Sequence, residues 1–152
     1  AMSKFKAYAF SILLPLIVGG VVGFLMNGNM DYNSLQKPPL SPPGIIFPIV
    51  WTILYILMGI SYARLKTKDL NNTNIKLIYY TQLFINGFWS IFFFVLKARL
   101  FAFIWIILLL VSIIIMIILF YRKDKISGLL QIPYLIWTLF ATYLNLFFYL
   151  LN

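Results

Sequence analysis

Leu100–Tyr121 reads LFAFIWIILLLVSIIIMIILFY, an unbroken apolar run between Arg99 and Arg122. A helix needs roughly 20 such residues to cross ~30 Å of hydrocarbon. Four other charge-free runs flank this one: Ala7–Met30, Pro38–Ala63, Leu77–Leu96 and Ile126–Asn152. None shows the alternation, over about 10 residues, of a membrane β-strand. Helices satisfy their own backbone hydrogen bonds in lipid, so the runs predict five spans, at about 5–26, 44–65, 75–96, 100–121 and 127–150. The fold class is therefore all-α: one polytopic domain over 1–152, a five-transmembrane-helix bundle. Ala1 ahead of Met2 suggests a natural start at Met2. The first span is too long for a signal peptide, and its Gly19, Gly20 and Gly23 lack a small-x-small cleavage pattern.

Composition agrees. Hydrophobic residues make up 63% and charged residues 10%, against about 25% charged in soluble domains. The net charge of +9 does not point to nucleic acid, because the cations stand at span ends rather than in one patch. Nine of them (Lys4, Lys6, Arg64, Lys66, Lys68, Lys76, Arg122, Lys123, Lys125) fall on one side and three (Lys37, Lys97, Arg99) on the other. The positive-inside rule then puts the N-terminus in the cytoplasm and the C-terminus outside. Basic loops also suit an anionic inner leaflet. The chain has no Cys and no His, which excludes disulfides, Cys or His nucleophiles, c-type haem attachment and ordinary zinc or haem ligation.

No charge lies in the interior of a span, which disfavours an ion pump or a proton-coupled transporter. No internal repeat supports an inverted-repeat transporter. The polar residues at membrane depth are neutral. Gln82, Asn86, Trp89 and Ser90 share a face by i, i+4, i+7, i+8 spacing, as do Trp51, Tyr55, Met58 and Tyr62. Trp137, Ala141 and Asn145 repeat at i, i+4, i+8, with Pro133 and Tyr134 one turn earlier. Amides in lipid cost several kcal/mol when unsatisfied, so these faces point inward. One reading is glue between helices. The other is a mostly apolar pocket with a few placed polar groups, suited to a large, flat, apolar ligand. The long first loop, from about Asn27 to Pro43, carries Pro38-Pro39-Leu40-Ser41-Pro42-Pro43. It is a stiff extended connector, or an ordered lid over the outer end of the bundle. Gly19-x-x-x-Gly23 permits close helix packing.

Three motifs resemble one known family. They are Leu35-Gln36-Lys37-Pro38 with Pro42-Pro43 and Phe47-Pro48-Ile49-Val50-Trp51-Thr52-Ile53-Leu54-Tyr55; Gln82-Leu83-x-x-Asn86-x-x-Trp89-Ser90 with Phe92-Phe93; and Pro133-Tyr134-Leu135-x-Trp137 with Ala141-x-x-Leu144-Asn145. In this order they resemble the TspO/translocator protein family, also called the peripheral-type benzodiazepine receptor or tryptophan-rich sensory protein. The resemblance covers nearly the whole chain. It implies a homodimeric five-helix bundle in a bacterial plasma membrane. Its pocket lies under the first loop and takes porphyrins such as protoporphyrin IX and synthetic ligands such as PK11195. Bacterial relatives are implicated in light-dependent porphyrin breakdown and in stress-linked tetrapyrrole control. The porphyrin is the ligand; no cofactor and no metal is required. The ligand-binding role carries over to Trp51, Asn86, Trp89, Trp137, Ala141 and Asn145, then to Gln82, Tyr55 and Ser90 and the loop residues Tyr32 and Pro42. Trp51 and Trp137 would flank the macrocycle and take part in its photochemistry. Asp31 and Leu40 stand where relatives often carry Trp, and Ile107 replaces an acidic residue of the fourth helix. No Lys or Arg follows Tyr143 or Tyr149, so cholesterol binding is not expected. A transporter of porphyrins or other apolar metabolites and a purely structural membrane partner are the alternatives.

Overall fold

A computed structural model describes residues 3–26 and 32–152; Met2, Asp31 and the start of the first loop at Asn27 lie outside the described residues. The described residues are helical, without strands, and five helices are long and apolar enough to cross a membrane. Helix α1 (Lys4–Met26) starts where the Lys6 N–H donates to the Ser3 hydroxyl at 3.2 Å. Helix α2 (Ile46–Thr67) begins after Pro42 and Pro43 and ends on Arg64 and Lys66, cations that suit the negative end of the helix dipole. Helix α3 (Thr73–Ser90) is capped by Asn72, whose side chain accepts from the Ile75 N–H at 2.9 Å. It runs on into wide π-helical turns at Ile91–Val95, where the Leu96 N–H donates to the Ile91 carbonyl at 2.8 Å. Helix α4 is Arg99–Lys123.

The last span differs from its sequence reading. A short helix α5 (Lys125–Leu129) is followed by a break and then by α6 (Ile132–Leu151). Pro133 accounts for the break. It has no N–H to donate, and its ring excludes the Leu129 carbonyl that a continuous helix would place there.

The helices close a ring in the order α1, α2, α6, α4, α3, with α5 between α4 and α2. Large apolar side chains such as Ile104, Leu108 and Val111 of α4 face outward, as lipid contact requires. The ring is tight where α1 passes Gly59, inside the end at which α1 starts. Gly59 meets the backbone of α1 at Ser11 and Ile12, leaving no room for a Cβ. Beside it Tyr62 and Tyr79 stack at 4.2 Å, with Phe120 against both. Toward Met26 the helices part, and the space between them is the site.

Candidate functional site

A cavity of about 550 Å³ lies between the end of α1, the start of α2 and the end of α3. Its walls include Gly19, Phe47, Trp51, Tyr55, Ser90 and Phe94. The Trp51 ring stacks on Tyr55 at 5.7 Å and meets Tyr134 edge-on at 6.2 Å, with Trp89 at 6.5 Å. Aromatic pairs of this kind add ~0.5–1.5 kcal/mol beyond area burial. At the rim Phe24 is 78% exposed, and Gly23 and Pro48 are exposed too, so the cavity opens sideways toward lipid.

The wide turns at the end of α3 explain how one helix supplies so many rings. Trp89 and Phe93 are stacked at 5.3 Å, and Phe94 stands edge-on to Phe93 at 4.7 Å. Phe94 reaches both the larger cavity and a smaller one of about 10 Å³. The smaller is lined by Tyr32, Trp89, Ala141 and Asn145 with Phe47 and Phe148.

Apart from Pro42, which lines neither cavity, the predicted residues divide into four sets. Trp51, Tyr55 and Ser90 line the larger cavity, while Tyr32, Trp89, Ala141 and Asn145 line the smaller. Gln82 and Asn86 are fully buried behind them in a hydrogen-bonded chain. The Tyr55 hydroxyl donates to Asn86 Oδ1 at 2.6 Å, and Asn86 Nδ2 donates to the Tyr134 hydroxyl at 2.9 Å. That hydroxyl donates to Gln82 Oε1 at 2.8 Å, and Gln82 Nε2 donates to the Tyr79 carbonyl at 2.8 Å. A second chain runs from Trp89 Nε1 to Asn145 Oδ1 at 2.9 Å and from Asn145 Nδ2 to the Arg99 carbonyl at 2.8 Å. Both asparagines therefore hold aromatic side chains in place and have their amides engaged by protein.

Trp137 stands apart. It packs edge-on against Phe47 at 5.9 Å and lines an outward groove between α2 and α6 with Val50, Leu54 and Phe140. Trp51 and Trp137 therefore do not face each other across one cavity, and Phe47 stands beside both spaces. The cause is helical pitch. Residues eight apart on a straight helix are rotated by about 80°, so Trp137 turns aside while Asn145 points in. The same drift places Gln82 in the buried chain and Ser90 at the cavity.

The loop is ordered over the described residues. Tyr32 is 3% exposed and packs edge-on against Phe47 and Phe148. Its hydroxyl donates to the Pro42 carbonyl. Burial outweighs a hydrogen bond with Ser41 and raises the Tyr32 hydroxyl above its ordinary pKa, so it stays a donor at neutral pH. Two ties bind the loop to α6. The Tyr143 hydroxyl donates to the Pro39 carbonyl at 2.6 Å. Asn152 accepts from the Gln36 N–H at 3.0 Å and donates to the Gln36 carbonyl at 2.9 Å. The loop covers the smaller cavity through Tyr32, and none of its described residues lines the larger one.

Phe47, Phe94 and Tyr134 form the site without having been singled out as ligand residues. The signal for Tyr134 was available, since it lies one turn before Trp137 on the same stretch of α6. Phe94 had none, because its position depends on the widened turns.

The comparisons with known proteins agree. Residues 11–150 match the model of the TspO/MBR family. The chain is 39% identical to the Tryptophan-rich protein TspO of Archaeoglobus fulgidus, over 93% of this chain and 94% of that one. It is 35% identical to Protein CrtK of Rhodobacter capsulatus, over 88% and 85%. It is 34% identical to the Tryptophan-rich sensory protein of Cereibacter sphaeroides, over 81% and 77%.

Proposed function

The chain belongs to the TspO/MBR family, and on that premise we propose that it is a membrane receptor for porphyrins and related flat apolar ligands. The observation that carries this reading is the cavity of about 550 Å³ walled by Trp51, Tyr55, Phe47 and Phe94. Small-molecule sites span ~300–1,000 Å³ and are mostly apolar with few polar groups. Here Ser90 supplies a hydroxyl at the wall. The opening beside Phe24 lets a lipid-soluble ligand enter from the bilayer. Synthetic ligands such as PK11195 suit the same apolar wall. The protein sits in a bacterial plasma membrane with its N-terminus in the cytoplasm, and pairs as a homodimer. The Gly19-x-x-x-Gly23 face is not the dimer contact in this reading, because Gly19 packs against Tyr55 of its own protomer.

Light-dependent porphyrin breakdown is a further part of the proposal. The pigment supplies the reactivity when lit in the presence of oxygen, and the protein positions it. Trp51 places an electron-rich indole at the cavity wall. Titrating protoporphyrin IX into the purified protein should quench tryptophan fluorescence saturably, and Trp51→Phe should keep binding while slowing light-dependent porphyrin loss. Trp137→Phe should change that loss less, because Trp137 lies outside the cavity. Linear, unsaturable quenching would remove the receptor reading. Equal photodegradation in wild type and Trp51→Phe would remove the photochemical role. Porphyrin flux across proteoliposomes, blocked by a pocket ligand, would favour a transporter instead.

A further inference from the structure

The opposite end of the bundle carries a third cavity, of about 770 Å³, between the start of α1, the end of α2 and the start of α3. Five cations line it (Lys4, Arg64, Lys66, Lys68 and Lys76) against one acid, Asp69. Arg64 and Lys68 are engaged by Asp124 at 3.0 and 3.1 Å. Desolvation pulls the Asp124 carboxyl upward, but hydrogen bonds from Arg64, Ser127 and Lys68 prevail and hold it well below the usual carboxylate range. Asp124 is thus an anion at neutral pH and fixes two of the cations in place. No ion pair among the described residues reaches Lys4, Lys66 or Lys76, so the lining keeps a positive excess over its one acid, Asp69.

The surroundings say what kind of anion would fit. The cavity lies at the end of three membrane spans, at the border of water and hydrocarbon. The Lys66 ammonium lies over the Phe10 ring, 5.0 Å from its centroid, so one cation of the cavity already rests on an apolar side chain of α1. From Phe10 an exposed apolar track, Leu13, Ile17, Val21 and Phe24, runs down the outer face of α1. A soluble phosphate or a nucleic acid has no use for such a track, whereas a lipid needs both parts.

We propose that this cavity seats the phosphate headgroup of an anionic phospholipid, with an acyl chain lying along the outer face of α1. Lys4, Lys66 and Lys76 contact the phosphate, and Arg64 and Lys68 complete the positive wall. The site is separate from the aromatic cavity and stands whether or not porphyrin binds there.

The test uses the full chain in neutral detergent. Dioleoylphosphatidylglycerol is compared with dioleoylphosphatidylcholine and with free glycerol phosphate, by native mass spectrometry and by melting temperature. Phosphatidylglycerol should remain bound one to one and raise the melting temperature, and the other two should do neither. K4Q/K66Q/K76Q should lose the adduct. K123Q/K125Q removes two exposed cations from outside the cavity and should keep it. If the triple variant does not fold, K4Q and K76Q alone carry the test. Each should weaken binding about fivefold, from ~1 kcal/mol for each basic residue near an anionic surface. Equal retention of phosphatidylcholine, or equal loss in K123Q/K125Q, would show only general attraction to the basic end and overturn the site. A full shift with glycerol phosphate would make it a phosphate site without a lipid. Unchanged binding in the lysine variants would overturn it as well.

Discussion

At the end where α1 begins, Tyr62 and Tyr79 lie face to face at 4.2 Å with Phe120 beside them. At the end where α1 stops, Trp51 and Tyr55 stack more loosely, at 5.7 Å and 28°, and border about 550 Å³ of open space. Both ends are built from aromatic rings, and glycine is found on α1 or α2 at each. What differs is what the glycine faces. Gly59 lets the α1 backbone approach α2 directly. Gly20 and Gly23 have nothing within 4 Å of a Cβ position, and at Gly23 on the cavity wall glycine leaves space, while Gly19 admits the ring of Tyr55 and no backbone. One helix pair therefore makes a backbone clamp at Gly59 and a cavity wall beyond Gly19.

The sharpest way to break this comparison is to put side chains on the two kinds of glycine. At Gly59 a Cβ falls on the Ile12 and Ser11 backbone, which no rotamer change can relieve. Gly59→Val should therefore cost about 1–3 kcal/mol or more, as overpacking does. Gly20→Ala should stay within about 0.5 kcal/mol of wild type, the usual range for a surface change. Melting temperatures in detergent decide this, and equal values for the two variants would show that the approach at Gly59 does not hold the helices together.

The next effect concerns the polar chain behind the cavity. Tyr134 accepts from Asn86 and donates to Gln82, so its hydroxyl satisfies two buried amides at once. Tyr134→Phe keeps the ring against Trp51 and leaves both amides short of a partner. The expected loss is about 1–3 kcal/mol by the desolvation of unsatisfied groups. The lower part of that range is favoured if the membrane-embedded unfolded state finds them other partners. Trp51 fluorescence reports on the same change, because Tyr55 and Trp51 rest on that chain. An unshifted melting curve and emission maximum would mean that the amides are not what positions the cavity wall.

How much of this was legible depends on the physical scale of each feature. Five spans could be read because hydrocarbon thickness imposes a long charge-free run on each, and Arg99 and Arg122 bracket Leu100–Tyr121 without ambiguity. The break before α6 was missed, because the last run reads as one span although Pro133 stands within it. The faces at Gln82–Ser90 and Trp137–Asn145 were readable only in part. Counting by fours and eights treats a helix as repeating sooner than it does, and an 80° drift is enough to move Trp137 out of the cavity. The wide turns at Ile91–Val95 had no local signal, because three consecutive phenylalanines fit several helical registers. Nor could composition show that α1 and α2 part beyond Gly19, which depends on how the whole ring closes.

The smallest effect is expected from the loop, and it tests which cavity the loop governs. Its ties to α6 are the Tyr143 hydroxyl on the Pro39 carbonyl and the paired hydrogen bonds of Asn152 with Gln36. These bonds are exposed, and exposed hydrogen bonds contribute at the low end of ~0.5–1.5 kcal/mol. Tyr143→Phe combined with Asn152→Ala should therefore leave the melting temperature nearly unchanged. The loop bears on the smaller cavity through Tyr32, whereas the larger opens beside Phe24. Releasing the loop should accordingly speed exchange of a ligand that reaches under Tyr32 and leave the exchange of one confined to the larger cavity as it was. Stopped-flow release of a porphyrin, followed by recovery of tryptophan fluorescence, separates the two. Faster release in the double variant would show that the macrocycle reaches beneath the loop, and an unchanged rate would confine it to the space walled by Trp51 and Phe94.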